Sequence, residues 1–433
     1  MRSLIGIPRR LFRLTERAFV LIFLLLYGFS LAAFSRQTEF SWPAFWVCYL
    51  GALGSYVYWL RCLPAMTRGE LLGLLGTGLG LRLLFLFQDP LLSADLYRCI
   101  WEGLVTVGGK NPYLLPPAHP ALVDLRPAWH HLINHPDYPA IYPPLTTLFN
   151  ALVAAIRPTP FFYKSCLGFC DLLLTLVIGL RLKARARSRR YLLLYFLHPL
   201  AIIEIWGSGH HEALVMLAAL IALHAQERCQ PWLAVSGLVA AVFSKYFFLV
   251  LLREFSGRRL LPALVLGGFL LFLPFYANGR GLFFSLCAYL EHWDFNAGLY
   301  RLGTYLFTNH FHLRLVLAGA YLVFWLYINS RPLSLADRDR RALSLLAGLL
   351  LVSPTVHPWY GLWLLPLLVF APSPALLGFV SLLPLSYIVL ENYQRSGVWQ
   401  ENYLVTFIIY LPLLAVLGNS LACRLRQLAG TGG

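Results

Sequence analysis

Apolar runs long enough to cross a bilayer recur along this chain from Ala18 to Cys423, with little polar sequence between most of them. A spanning helix needs about 20 such residues, so a chain patterned this way has lipid as part of its solvent. Charged residues make up 12% of the 433, against roughly 25% in soluble domains. The 35 Lys and Arg exceed the 19 Asp and Glu by 16. In a soluble chain that excess would point to nucleic acid, whereas here it points to basic cytoplasmic loops. The expected class is an all-α polytopic membrane protein, a single integral membrane domain over 1–433 with about 11 to 13 transmembrane helices.

A window of about 19 residues marks segments near 18–34, 43–60, 70–87, 162–182, 191–206, 210–225, 231–252, 260–277, 311–329, 342–356, 359–371, 374–390 and 403–423. Arg2, Arg9, Arg10, Arg13 and Arg17 precede the first, so we read an uncleaved helix with its N-terminus cytoplasmic, although SLAAF imitates a signal-peptidase site. The other basic loops, above all RLKARARSRR at 181–190, go to the same side, which puts 88–143 outside. The segment 141–157 sets the parity. If it crosses, 181–190 moves outside against the positive-inside tendency; if it is re-entrant, 231–252 must also be a hairpin, turning near Ser244 and Lys245. We adopt the re-entrant reading. The eight Cys include no CxxC pair and read as small apolar residues.

The outer segment 88–143 runs for about 56 residues, far beyond a usual helix connection, and loops of that length are generally functional. Within it, ADLYRCIWEGLVTV at 94–107 sets Leu96, Ile100, Leu104 and Val107 at helical spacing, the pattern of an amphipathic interfacial helix. Asp95 stands at its start. Position alone leaves two roles open: an N-cap that satisfies helix N–H groups, or a reactive carboxylate at an apolar boundary.

Further stretches follow in order: WEG at 101–103, GGKNPY at 108–113, INHPDYPAIYPPL at 133–145, HPLAIIEIWGSGHHEAL at 198–214, FSKYFFLVLL at 243–252, FNAGLYRLG at 295–303 and SPTVHPWYGLW at 353–363. This series resembles the GT-C superfamily of multi-spanning glycosyltransferases, especially the bacterial polyprenol-phosphate-mannose-dependent mannosyltransferases, over residues 90–363. WEG stands where WDG is commoner, GHHE where GHxD is expected, and HPWY brings an additional His beside the SPWY pattern. The resemblance implies transfer of a hexose, with mannose expected, from a polyprenyl-phosphate donor to a glycan or lipid-linked acceptor at a bacterial inner membrane. It implies no obligatory metal, since position 97, where a D-x-D pair would have its second acid, is Tyr. The family's catalytic aspartate falls on Asp95. Matching motif positions make Glu102, Asn111, Tyr113, His135, Tyr142, His210, His211, Glu212, His357, Trp359 and Tyr360 substrate-binding candidates.

The chemistry asks for similar parts. Transfer from a lipid-phosphate sugar needs a base for the acceptor hydroxyl, cations for the leaving phosphate and an apolar groove for the polyprenyl tail. Asp95 can be the base. Lys245, inside AVFSKYFFLVLL, is a costly intramembrane cation and a candidate for the phosphate, with a snorkelling or ion-paired structural lysine as the alternative. Arg98 and Arg301 are outer-loop candidates for that task, while Arg82 lies near enough to a segment end to snorkel. His210, His211 and Glu212 follow a glycine turn and either cap the next helix or bind a sugar hydroxyl or phosphate. His131 and His135 have i, i+4 spacing, but Pro136 interrupts any helix there, so no metal site is assigned. Trp101, Tyr113, Tyr138, Tyr142, Trp359 and Tyr360 read first as interface anchors, with sugar stacking as an alternative for Trp359 and Tyr360. The competing class is a transporter or lipid flippase, which would also embed Arg82, Asp171, Glu204 and Lys245. It predicts internal repeats, and none is visible. Expected partners are donor, acceptor and membrane lipids, not nucleic acid.

Overall fold

The computed structural model describes residues 41–62, 66–90, 92–255, 259–276, 281–331 and 337–415; the expected helix at 18–34 and the stretch 416–423 lie outside the described residues. Among these residues the chain is helical, apart from one parallel bridge between Phe295 and Thr355. Its longer helices are α1 (Trp42–Cys62), α2 (Arg68–Leu86), α3 (Asp95–Val107), α4 (Pro144–Ile156), α5 (Pro160–Ala184), α6 (Glu212–Glu227), α7 (Pro231–Ser244), α8 (Leu260–Phe272), α9 (His310–Ser330), α10 (Arg338–Val352) and α11 (Pro374–Leu382).

Local sequence sets several starts. Thr67 and Glu70 form a reciprocal capping box on α2: Glu70 N donates to Thr67 Oγ1 at 3.2 Å and Thr67 N to Glu70 Oε2 at 2.7 Å. Pro160 opens α5 with its φ already suited to a helix, and Thr159 Oγ1 accepts from Phe162 N at 3.3 Å.

Among the described residues four helical runs are long and apolar enough to cross a bilayer: Arg68–Leu86, Pro160–Ala184, His310–Ser330 and Pro374–Ser396. Shorter apolar helices lie between them. With 13 residues α4 reaches about 20 Å, too short to cross an apolar core of ~30 Å unaided. α7 stops at Ser244, where Lys245 is extended (φ −156°, ψ 113°) before a 3₁₀ stretch over Tyr246–Glu254.

Two expected spans, 191–206 and 359–371, are irregular instead. The first becomes short turns at Leu193–Phe196 and Pro199–Ala201 followed by a π-helix, Ile202–Gly207; the second is 3₁₀ over Pro358–Trp363, then Leu365–Leu368. Pro199, Pro358 and Pro366 each lack the N–H that a continuous helix would use. Irregular backbone survives at membrane depth only under protein cover, and residues 198–213 and 358–370 are all buried.

Arg82 does not snorkel. Its Nε meets Asp171 Oδ2 at 2.7 Å with both side chains fully buried, and its Nη1 donates to Phe196 O at 2.6 Å. Asp171 also accepts from Trp206 Nε1 at 2.8 Å and from the Tyr195 hydroxyl, so the pair ties α2 and α5 to the broken segment. Elsewhere on α5, Arg181 reaches Glu227 at 2.5 Å and Asp339 at 3.0 Å, which joins α5, α6 and α10.

α3 forms as expected, but it lies against protein on more than its apolar stripe. Leu96 and Ile100 are buried, Val107 is 52% exposed, and Arg98, Glu102 and Gly103 are buried as well. Gly103 explains the second contact face: a Cβ there would lie 2.3 Å from the Asn150 carbonyl oxygen of α4.

Candidate active site

Asp95 is the first residue of α3, half-buried, and its carboxylate does not cap that helix. The N-cap position is Ala94, without a side-chain bond to the helix amides, and Asp95 Oδ1 accepts from Asn134 Nδ2 at 2.7 Å. The capping alternative is therefore replaced by a contact across the 88–143 segment. Asp95 lies close enough for its charge to act on His135, Tyr142, His211 and His357.

Gly209 brings the histidine pair to this place. Its φ of +76° suits glycine, and a Cβ on it would fall 2.2 Å from Leu96 Cδ1 of α3. His211 stands edge-on to the Tyr142 ring, centroids 4.4 Å apart, and its Nε2 has no hydrogen-bond partner among the described residues. His210 Nε2 is 3.5 Å from Glu204 Oε2 in the π-helix, and Glu204 Oε1 accepts from the Tyr387 hydroxyl at 2.8 Å.

Lys245 sits where α7 ends, 5% exposed, in an ion pair with the fully buried Glu212. Its ammonium also lies over the rings of Tyr360 at 4.8 Å, Trp363 at 5.1 Å and Tyr142 at 5.8 Å. The structural alternative for Lys245 thus has its partner, while the ring enclosure keeps the charge beside Tyr142 and His211.

The Trp359 indole is packed by two histidines. His210 stacks on its ring at 3.8 Å and 17°, and His357 stacks on it at 4.3 Å and 3°. Tyr360 stacks on Trp363 at 4.3 Å and shares a hydrogen bond with the Tyr289 hydroxyl at 2.8 Å. His357 packs against Phe295 as well, and burial pushes its imidazole down to about 3, which leaves the ring neutral.

Other candidates hold the scaffold. Asn111 donates to Phe275 O at 2.7 Å and accepts from Tyr113 N at 3.0 Å; the Tyr113 hydroxyl donates to Tyr142 O at 2.6 Å. Arg98 meets Glu102 at 3.0 Å and four loop carbonyls, which uses every guanidinium N–H and leaves none for a phosphate. Burial raises the Glu102 carboxyl above its ordinary range, and the Arg98 charge opposes that shift. His135 keeps one edge in solvent but rests on Trp293 with centroids 5.3 Å apart; desolvation, then the Arg98 charge, lowers its imidazole, and Asp95 works the other way. Arg301 belongs to a separate group, 3.2 Å from Asp294 and 3.4 Å from Glu401.

Asn134, Glu204, Tyr289 and Trp363 were not among the site candidates. Asn134 stands in the INHP stretch and Trp363 in SPTVHPWYGLW, so the motifs contained them without marking their contacts. Among the described residues no three His, Cys, Asp or Glu side chains converge as metal ligands.

A family model described as alpha-(1->6)-mannopyranosyltransferase, N-terminal domain, matches residues 26–256. No match is found among curated proteins or among solved structures. The matched stretch is more than half of the chain and contains Asp95, Asn134, Tyr142, the His210–Glu212 turn and Lys245. With its apolar helices and this site, the chain belongs to the alpha-(1->6)-mannopyranosyltransferase family, a family of membrane glycosyltransferases.

Proposed function

We propose that the protein transfers mannose, or a closely related hexose, from a polyprenyl-phosphate donor to a glycan or lipid-linked acceptor, in a GT-C-type fold on the outer face of a bacterial inner membrane. Asp95 is the general base. Its carboxylate takes the acceptor hydroxyl proton as the new bond forms between that oxygen and the sugar C1, while the bond from C1 to the phosphate oxygen breaks and polyprenyl phosphate leaves with the electron pair. Lys245, enclosed by the rings of Tyr142, Tyr360 and Trp363, faces the leaving phosphate; Arg98 has every N–H committed to protein, and Arg301 stands in its own ion-pair group. His211 and Glu212 are available to sugar hydroxyls, since His211 Nε2 and Glu212 Oε2 are buried without hydrogen-bond partners among the described residues.

The observation that carries this reading is the Asp95 carboxylate, freed from helix capping and held by an amide donor beside Tyr142, His211 and His357. A base must be fixed yet reachable, and half-burial at the start of an outer helix meets both needs. The test incubates purified protein with candidate polyprenyl-phosphate sugars and follows released polyprenyl phosphate. Asp95→Asn keeps the bond from Asn134 but removes proton acceptance, so release should cease with expression and helix content intact. Wild-type release by that variant would exclude Asp95 as the base.

A further inference from the structure

The turn 134–139 is fastened more closely than a surface loop requires. Arg98, buried beneath it, directs all five guanidinium N–H groups to protein: Nε to Glu102 Oε1 at 3.0 Å, Nη1 to the Asn134 and His135 carbonyls at 3.2 and 2.9 Å, and Nη2 to those of Tyr138 and Pro139 at 2.5 and 2.7 Å. His135, in the middle of the turn, holds φ +47°. That is the left-handed region, unfavourable for a residue with a side chain, and residues before proline are normally extended. Backbone strain of this kind persists only where surrounding bonds over-determine it, and here Arg98 supplies four of them.

What the fastening fixes is one side chain. Asn134 Nδ2 donates to Asp95 Oδ1 at 2.7 Å, and because a carboxylate only accepts, the amide nitrogen must be the atom that faces it. Asn134 Oδ1 is buried without a hydrogen-bond partner among the described residues. The amide therefore makes no other side-chain bond there than the one to Asp95.

We propose that Asn134 is a positioning residue for Asp95, set in place by the Arg98 clamp, so that one carboxylate oxygen is held and the other is presented to the acceptor hydroxyl. This deepens the proposed reaction and rests on Asp95 being its base. Asn134 exchanges no proton; the hydroxyl proton goes to Asp95. The charged and titratable groups around that carboxylate are Arg98, Cys99 and Glu102 on its own helix, His135 and Tyr142 on the outer loop, Glu204 in the π-helix, His211 before α6 and Glu212 at its start, Lys245 at the end of α7, Tyr289, His357 before the 3₁₀ stretch, and Tyr387. A change at position 134 leaves all of them in place.

The experiment uses the full chain and measures kcat, donor KM, melting temperature and the pH profile of polyprenyl phosphate release. Asn134→Ala should lower kcat by about 10- to 100-fold, the usual cost of losing a supporting shell or of an ångström of misplacement, with donor KM within about twofold. Its acid limb should move to higher pH, because the lost hydrogen bond favoured the charged carboxylate. Arg98→Lys keeps the charge but cannot reach five acceptors, so it should reproduce the kcat loss and the same pH change; a phosphate ligand would instead raise donor KM and leave the acid limb alone. Wild-type kcat with an unmoved acid limb in Asn134→Ala overturns the proposal, as does a kcat loss that follows melting temperature with no pH change. If Asp95→Asn is inactive while Asn134→Ala behaves as wild type, only the positioning role fails; if Asp95→Asn is active, the base itself was misassigned.

Discussion

Replacing Lys245 by Met removes the ammonium while keeping an unbranched side chain of similar reach. Among the described residues Glu212 Oε1 bonds to Lys245 alone, and Glu212 Oε2 has no partner. The fully buried carboxylate would then be left without any compensation. Breaking a buried pair in this way costs about 3–5 kcal/mol, and the lost ring contacts of Tyr360 and Trp363 act in the same direction. Replacing both partners is different, since an apolar pair of similar volume is often neutral or stabilising by about 1–4 kcal/mol. The single variant Lys245→Met should therefore unfold early, and Lys245→Met with Glu212→Met should recover most of that loss. The double variant makes the phosphate role testable on a folded protein: it should no longer bind polyprenyl-phosphate sugar. Stability and donor binding would be measured on one detergent preparation by thermal unfolding and by equilibrium binding. A stable double variant with wild-type donor affinity would refute the phosphate role for Lys245, and a Lys245→Met protein as stable as wild type would refute the ion-pair reasoning.

The stacked His357 should make the fold acid-sensitive. Its imidazole is held at about 3 against an ordinary 6.5, so between those values the unfolded chain binds a proton that the folded chain does not. The contribution is complete above pH 6.5 and is lost as pH falls, by about 1.4 kcal/mol per unit; a His357→Gln protein should show a flatter pH dependence of melting temperature, and an unchanged slope would contradict the assignment. Gly103→Ala forces a Cβ to within 2.3 Å of the Asn150 carbonyl oxygen, so α3 must back away from α4 at a cost of about 1–3 kcal/mol. Transfer should fall with it, and crystallographic or melting data showing no change would mean that the two helices do not meet this closely. Single-Cys labelling in a Cys-depleted chain should reach positions 134 and 400 from outside and 188 from inside; outside labelling at 188 would mean that 141–157 crosses fully.

Much of the segment 88–143 was legible. The period of Leu96 and Ile100 announced α3, and the ordered motifs pointed to residues that surround Asp95. Lys245 stood out because a cation in an apolar run is costly, and Ser244 to Lys245 is where α7 does break. The individual tasks were not legible. A motif shows that Arg98, Asn111 and Tyr113 recur at a spacing, but it does not say that their polar atoms bind backbone carbonyls rather than a ligand. The stacking of His210 on Trp359 could not be seen, because His210 lies 149 positions away in the chain and only folding lays it on the indole.

By itself the sequence determined the class of the molecule: apolar runs with few charges require helices in lipid, since each backbone N–H and C=O must be satisfied within its own segment there. It also determined the helix starts at Thr67 and Pro160, whose caps depend on neighbours three residues apart. Tertiary structure decided which charges answer one another: Arg82 to Asp171, Lys245 to Glu212, and Asn134 to Asp95 across 39 residues. It decided as well that 191–206 and 358–370 would be irregular, because buried backbone can leave the helix only where other segments supply its cover. The physical reason is range. Capping and periodicity act over a few residues, whereas the pairing of a buried charge depends on which distant element arrives beside it, and a sequence read locally contains the charge without its partner.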